Sequence, residues 1–174
     1  MALPLAVADT SVLINLHHLG LLEHLSHLYS GILVPAPVRK EFLKLDEYGT
    51  LEVTLNLFTT KGFFAPCDDY DTNEVDLLRT LKMKGAEAEA LSQLKQRNAD
   101  VLLIDEKTGR SIAKRERRSV TGTVGILAAL SRMGFVEYWQ AVERLRKDVE
   151  FRISDKVARE ALKKSDEGPG FERL

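Results

Sequence analysis

Val7-Ala8-Asp9-Thr10-Ser11 places an acid where a short apolar run stops. Leu5 to Ala8 read as a small buried strand, bounded by Pro4 before it and by Asp9-Thr10-Ser11 after it, and Val12-Leu13-Ile14 restarts the apolar pattern at helical spacing. The acid therefore stands at a strand's carboxyl end, the edge of an open α/β sheet where loops converge on ligands. The plainer alternative is that Asp9, Thr10 or Ser11 caps the next helix, a role these residue types fill very often.

The same arrangement recurs further along. Val101-Leu102-Leu103-Ile104 is an unbroken apolar run, as expected of a central strand buried on both faces, and Asp105-Glu106 ends it. Ile32-Leu33-Val34 is a second short strand stopped by Pro35 and Pro37, after which Val38 to Glu47 reads as a helix carrying Glu41. Ser119-Val120-Thr121 is a last short strand, followed by a helix from Gly122 to Met133. Between these lie amphipathic segments: two short helices broken at Gly20, helices over 74–83 and 86–97, a basic helix over 107–117, and helices over 137–147 and 155–164. In the stretch from Gly49 to Asn73, alternation of Leu51, Val53, Leu55 and Leu57 favours a strand or a hairpin closing near Lys61-Gly62. Short strands alternating with helices predict an α/β three-layer sandwich with a mostly parallel central sheet.

At 174 residues the chain is about one domain long, so 1–174 is read as a single domain with a mobile tail from about 165. Charged residues at 29% and apolar ones at 44% argue for a folded globular chain. A net charge of -1 means that any affinity for nucleic acid must come from clustered Lys and Arg. The lone Cys67 excludes an internal disulfide framework and fits a reducing compartment, so the cytoplasm is expected. The opening residues lack a basic n-region, and no apolar run approaches the length of a membrane helix. His17, His18, His24 and His27 lack the cysteine or carboxylate company of a zinc site. Asp68, Asp69 and Asp71 do not complete a calcium loop.

Right-handed crossovers bring the carboxyl ends of parallel strands to one edge. Asp9, Glu41, Asp105 and one of Glu87 or Glu89 then meet there. Crowded carboxylates repel, so such a set needs protons or cations between its members. Hard divalent ions, Mg2+ or Mn2+, prefer these oxygen ligands and can activate water in phosphodiester hydrolysis. A shared ion requires the carboxylates to come within about one metal-bridging distance of each other.

These residues reach a known family. Val7-Ala8-Asp9-Thr10-Ser11 with Leu13-Ile14 resembles the opening of PIN-domain nucleases, and so does Val34-Pro35-Ala36-Pro37-Val38 leading to Glu41. Gly85-Ala86-Glu87-Ala88-Glu89-Ala90-Leu91, Ala99-Asp100-Val101-Leu102-Leu103-Ile104-Asp105-Glu106, Val120-Thr121-Gly122-Thr123 and Phe151-Arg152-Ile153-Ser154 resemble the VapC-like branch formerly of unknown function. The resemblance spans Val7 to about Leu162. It implies a metal-dependent ribonuclease, the toxin half of a toxin-antitoxin pair, with a small antitoxin protein as partner and a homodimer formed through its helices. Met83, Tyr138 and Trp139 are possible contacts there, or core.

The family's acids carry over as Asp9, Glu41, a glutamate after Gly85, and Asp105. Its usual interval of 18 residues from third to fourth acid selects Glu87, and Ala86 is a departure from the family's pattern. Glu87 and Glu89 point about 200° apart on a helix, so only one faces the site. The resemblance also puts Thr10, Ser11, Thr121 and Thr123 at the site edge, where their hydroxyls orient water or substrate, or else cap turns. For RNA, Lys107, Arg110, Lys114 and Arg117 follow Asp105, the last three on one helical face. The competing reading is a PIN-like nucleic-acid or protein binding module with little or no catalysis.

Overall fold

The computed structural model describes residues 2–44, 62–84 and 86–166. The strand or hairpin expected over 49–61, the last turn expected of the second helix and the tail beyond 166 lie outside them. Five strands, β1 (Leu5–Ala8), β2 (Gly31–Pro35), β3 (Phe64–Cys67), β4 (Val101–Leu103) and β5 (Ser119–Thr121), form one sheet in the order β3-β2-β1-β4-β5, and every pairing is parallel. The helices among the described residues are α1 (Thr10–His18), α2 (Ala36–Leu43), α3 (Thr72–Thr80), α4 (Glu87–Gln96), α5 (Lys107–Arg115), α6 (Thr123–Arg132), α7 (Tyr138–Asp148) and α8 (Asp155–Asp166).

Strand alternation sends neighbouring residues into two separate cores. Ala6, Ala8, Val101 and Leu103 pack with Leu13 and Leu16 of α1, Leu127 and Leu130 of α6 and Leu145 of α7. Val7, Leu102 and Ile104 pack on the other face with Leu78 of α3, Leu91 and Leu94 of α4 and Ile112 of α5. A sheet covered on both faces explains why these strands read as continuous apolar runs rather than alternating ones. The expected three-layer α/β sandwich is the fold found.

Several local expectations change. The third strand is Phe64–Cys67, a piece the alternation pattern did not pick out because it is short and contains Pro66; an edge strand tolerates the missing donor. The segment after Gly20 winds as a 3-10 turn, Leu22–His27, instead of an α-helix. Asp71 caps α3 through the Asn73 and Glu74 amides, so that helix begins at Thr72 instead of residue 74. Met83 and Tyr138 are both 3% exposed and belong to the core, the Tyr138 hydroxyl donating to the Ala158 carbonyl at 2.7 Å, whereas Trp139 is exposed. His24 and His27 stack on Phe135, and His18 bonds Asp148.

Candidate active site

Strands β2 and β3 extend from one side of β1, while β4 and β5 lie on its other side. The chain reverses direction across the sheet between β1 and β4, which makes their carboxyl ends a topological switch point, where open α/β sheets form a crevice. Asp9 follows β1 directly and Asp105 lies two residues beyond the end of β4, and the Asp9 amide donates to the Leu103 carbonyl at 2.9 Å across the switch.

Asp9 occupies the N-cap position of α1, but its side chain makes no capping hydrogen bond of the usual kind. It is 5% exposed and accepts the Ser11 hydroxyl at 2.9 Å. Burial pushes its pKa up, the Ser11 hydroxyl and the nearby amides oppose the shift, and the Glu41 charge adds to it. Glu41, in the second turn of α2, accepts the Thr10 hydroxyl at 2.8 Å. Pro37 in the first turn of α2 preorganises the helix that carries it.

Glu87 and Glu89 are placed differently. Glu87 opens α4, accepts the Lys84 amide at 3.2 Å and lies close to Gly109 of α5. Its pKa is pushed up to about 7, chiefly by burial and further by Asp9, Glu106 and Glu41. Glu89, 3% exposed, is turned away to an ion pair with Arg79 of α3, and its Oε2 has no hydrogen-bond partner. The Asp9 and Glu41 charges thus bear on Glu87, and that of Glu41 on Asp9, whereas Glu89 pairs with Arg79 across α3 and α4.

Asp105 is held differently. Its Oδ1 accepts the Thr123 amide at 2.7 Å, and its Oδ2 accepts the Thr123 hydroxyl at 2.5 Å and the Asn15 amide at 3.1 Å. Burial raises its pKa, and these donors together with the Arg110 charge pull it back. Thr121 is buried at the end of β5, its hydroxyl against Gly125 and its carbonyl accepting the Ile104 amide. Of the two threonines, Thr123 is the one bonded to an acid. Sequence reading missed Asn15 and Glu106; the first interrupts the apolar face of α1 as a buried amide, and the second caps α5 through the Gly109 amide at 2.8 Å.

The basic helix also differs from expectation. It ends at Arg115, and Arg117 adopts a left-handed backbone with φ 55°, so the stripe expected through Arg110, Lys114 and Arg117 stops after Lys114. Arg110 folds back to donate to the Ile104 carbonyl at 3.0 Å, beside Asp105.

A sequence model of the PIN domain matches residues 5–167. The chain belongs to the PIN-domain family. PIN domains are generally nucleases, and they typically use divalent metal ions. No curated protein is similar enough to this PIN domain to be compared with it.

The donor set of this PIN domain suits a hard cation: four carboxylates, three of them raised in pKa chiefly by burial. The close cluster expected from the sequence is not reached. Among the described residues no three acids, histidines or cysteines stand ready to enclose one ion. Magnesium and manganese sites that use one or two carboxylates, with waters and substrate phosphate, need no such cage. Among the described residues no helix is long and apolar enough to cross a membrane.

Proposed function

We propose that this PIN domain is a metal-dependent endoribonuclease that hydrolyses RNA phosphodiester bonds at the switch-point edge. The observation that carries this reading is the placing of two buried carboxylates, Asp9 and Glu87, with the hydrogen-bonded Glu41 and Asp105, around the switch-point edge. Asp9, Glu41, Glu87 and Asp105 are the acids from which one or two would hold Mg2+ or Mn2+ together with waters and substrate phosphate, with Glu89 left to its ion pair with Arg79. Bound there, such an ion lowers the pKa of the attacking water and stabilises the leaving oxygen.

The chain's own residues prepare that edge. Ser11 orients Asp9, Thr10 orients Glu41, and Thr123 with Asn15 fixes Asp105. Arg110, and beyond it Lys107 and Lys114, supply positive charge on the Asp105 side, where substrate phosphates approach. By family resemblance we further assign the chain as the toxin of a toxin-antitoxin pair in the cytoplasm, restrained by a small antitoxin protein and able to form a homodimer.

A second reading has its own observation. The lack of a three-carboxylate cluster among the described residues favours a PIN-like binding module for nucleic acid or protein, with little or no catalysis. Labelled structured RNA incubated with Mg2+ or Mn2+ separates the two. The nuclease reading expects cleavage that stops in chelator and in Asp9→Asn; cleavage that persists in either condition overturns it, and intact RNA in every lane supports the binding module.

A further inference from the structure

Arg110 is the fourth residue of α5, and its side chain runs back toward the start of that helix, where Nη1 donates to the Ile104 carbonyl. A neutral oxygen thus anchors a full positive charge. Among the described residues Arg110 makes no ion pair, and of its five donors one is used. A methyl group at Gly122 would lie 2.5 Å from Asp105 Oδ1, 3.0 Å from Arg110 Nη1 and 3.2 Å from the Ile104 carbonyl. The guanidinium and the carboxylate therefore flank one point. The Gly122 backbone is extended, with φ -117° and ψ -178°, which any residue adopts, so what glycine supplies there is space. Oδ2 of Asp105 already accepts the Thr123 hydroxyl and Asn15, whereas Oδ1 accepts the Thr123 amide alone. Oδ1 is the freer oxygen, and it is the one beside Arg110.

We propose that Arg110 is a built-in countercharge to Asp105, steadying the metal-free edge and opposing entry of a divalent ion at the oxygen that Asp105 leaves freer. The proposal rests on the metal-dependent reading for the ion; the countercharge itself belongs to the chain. A buried carboxylate is costly without a partner of opposite charge, and the Thr123 and Asn15 donors are neutral. Arg110 supplies the missing sign. The same unit charge repels a divalent ion twice as strongly as it would a monovalent one at equal distance. A guanidinium does not lose its proton in a protein, so the opposition is permanent, and its bond to Ile104 fixes where the charge stands. Arg110 acts through Asp105 and is a positioning residue of the edge. The two roles have opposite signs on removal: the metal-free chain loses stability, and the ion binds more tightly.

The test is calorimetric titration of Mn2+ into the metal-free full chain, with unfolding temperatures of the same variants measured in chelator. Arg110→Met removes the charge and keeps the stem, Arg110→Lys keeps the charge, and Lys147→Met removes an exposed cation from the end of α7. Arg110→Met is expected to bind Mn2+ at least about threefold more tightly, with Arg110→Lys and Lys147→Met within about twofold of the parent. A purely structural role for Arg110 would weaken Mn2+ binding. In chelator, Arg110→Met should lower the unfolding temperature by about 2–4 °C more in the parent than in an Asp105→Asn background. The comparison cancels the lost bond to Ile104, which both backgrounds share. Mn2+ binding that is unchanged or weaker in Arg110→Met, equal tightening in Lys147→Met, or equal loss of stability in the two backgrounds overturns the proposal. Where the parent binds Mn2+ and any of these is seen, the metal-dependent reading still stands. No Mn2+ binding by the parent or any variant removes that reading and the proposal together.

Discussion

The Thr10 hydroxyl donates to Glu41 Oε2 at 2.8 Å, fastening the first residue of α1 to the second turn of α2. Without it, a long glutamate side chain at the sheet edge has free rotamers to explore. Thr10→Val keeps the shape and removes the donor. Partners that orient ligating carboxylates are worth about 10- to 100-fold in metal affinity or activity. Cleavage by Thr10→Val is therefore expected to fall by that order and to recover partly at higher Mn2+, with thermal unfolding nearly unchanged. Full activity at low Mn2+ would remove the positioning role.

Glu87 makes metal-free stability depend on pH. Its carboxyl titrates near 4.5 when unfolded and at about 7 when folded, so the folded chain holds the extra proton between those values. Stability then falls as pH rises from about 4.5 to about 7, because the native state must pay to ionise a buried group. Asp9 and Asp105, also raised, act in the same direction. Unfolding temperatures measured in chelator should decline over that range, and Glu87→Gln should flatten the decline. A parent curve that rises instead contradicts the assigned burial.

Divalent ions should reverse that loss. A ligand that binds only the folded state at about 100 times its Kd adds about 2.7 kcal/mol. Mn2+ is expected to raise the unfolding temperature of the parent chain and to leave Asp9→Asn nearly unmoved. An equal shift in both proteins would place the ion elsewhere.

The two glutamates of α4 should separate cleanly. Arg79→Ala leaves the Glu89 carboxylate buried with no partner, a loss of about 1–3 kcal/mol of stability. Cleavage measured well below the unfolding temperature should be unchanged. Glu87→Gln should abolish cleavage while the chain remains folded at neutral pH. Exchange of these two phenotypes would make Glu89 the site acid.

Gly122 leaves the space Asp105 occupies. A Cβ there would meet Asp105 Oδ1 at 2.5 Å and the Ile104 carbonyl at 3.2 Å. Gly122→Ala is expected to cost about 1–3 kcal/mol by overpacking and to displace the carboxylate, so that activity falls more than stability. Denaturant unfolding alongside cleavage rates measures both.

How much of this was readable in the residues depended on the range of the interaction. Apolar runs at 5–8, 32–34 and 101–104 located the inner strands because burial on both faces leaves a continuous signature. The acid after each of two strands located Asp9 and Asp105. β3 escaped because an edge strand of four residues with a proline carries too little pattern. Helical geometry said that only one of Glu87 and Glu89 could face the edge, but the ion pair that engages Glu89 comes from Arg79 on another helix. The Asn15 contact spans 90 residues, and the left-handed turn at Arg117 depends on where α5 meets β5. Neither leaves a local trace.

The hydrogen bonds around Asp105 also limit how much of its carboxylate stays open. An ionised carboxylate offers about four lone pairs. Thr123 and Asn15 occupy both on Oδ2, and the Thr123 amide takes one on Oδ1. A single lone pair remains, on the oxygen that faces the missing side chain of Gly122. Under the proposed metal-dependent reading, Asp105 would therefore offer a cation one oxygen and act as a fixed post, and adjustment would fall to the acids across the switch.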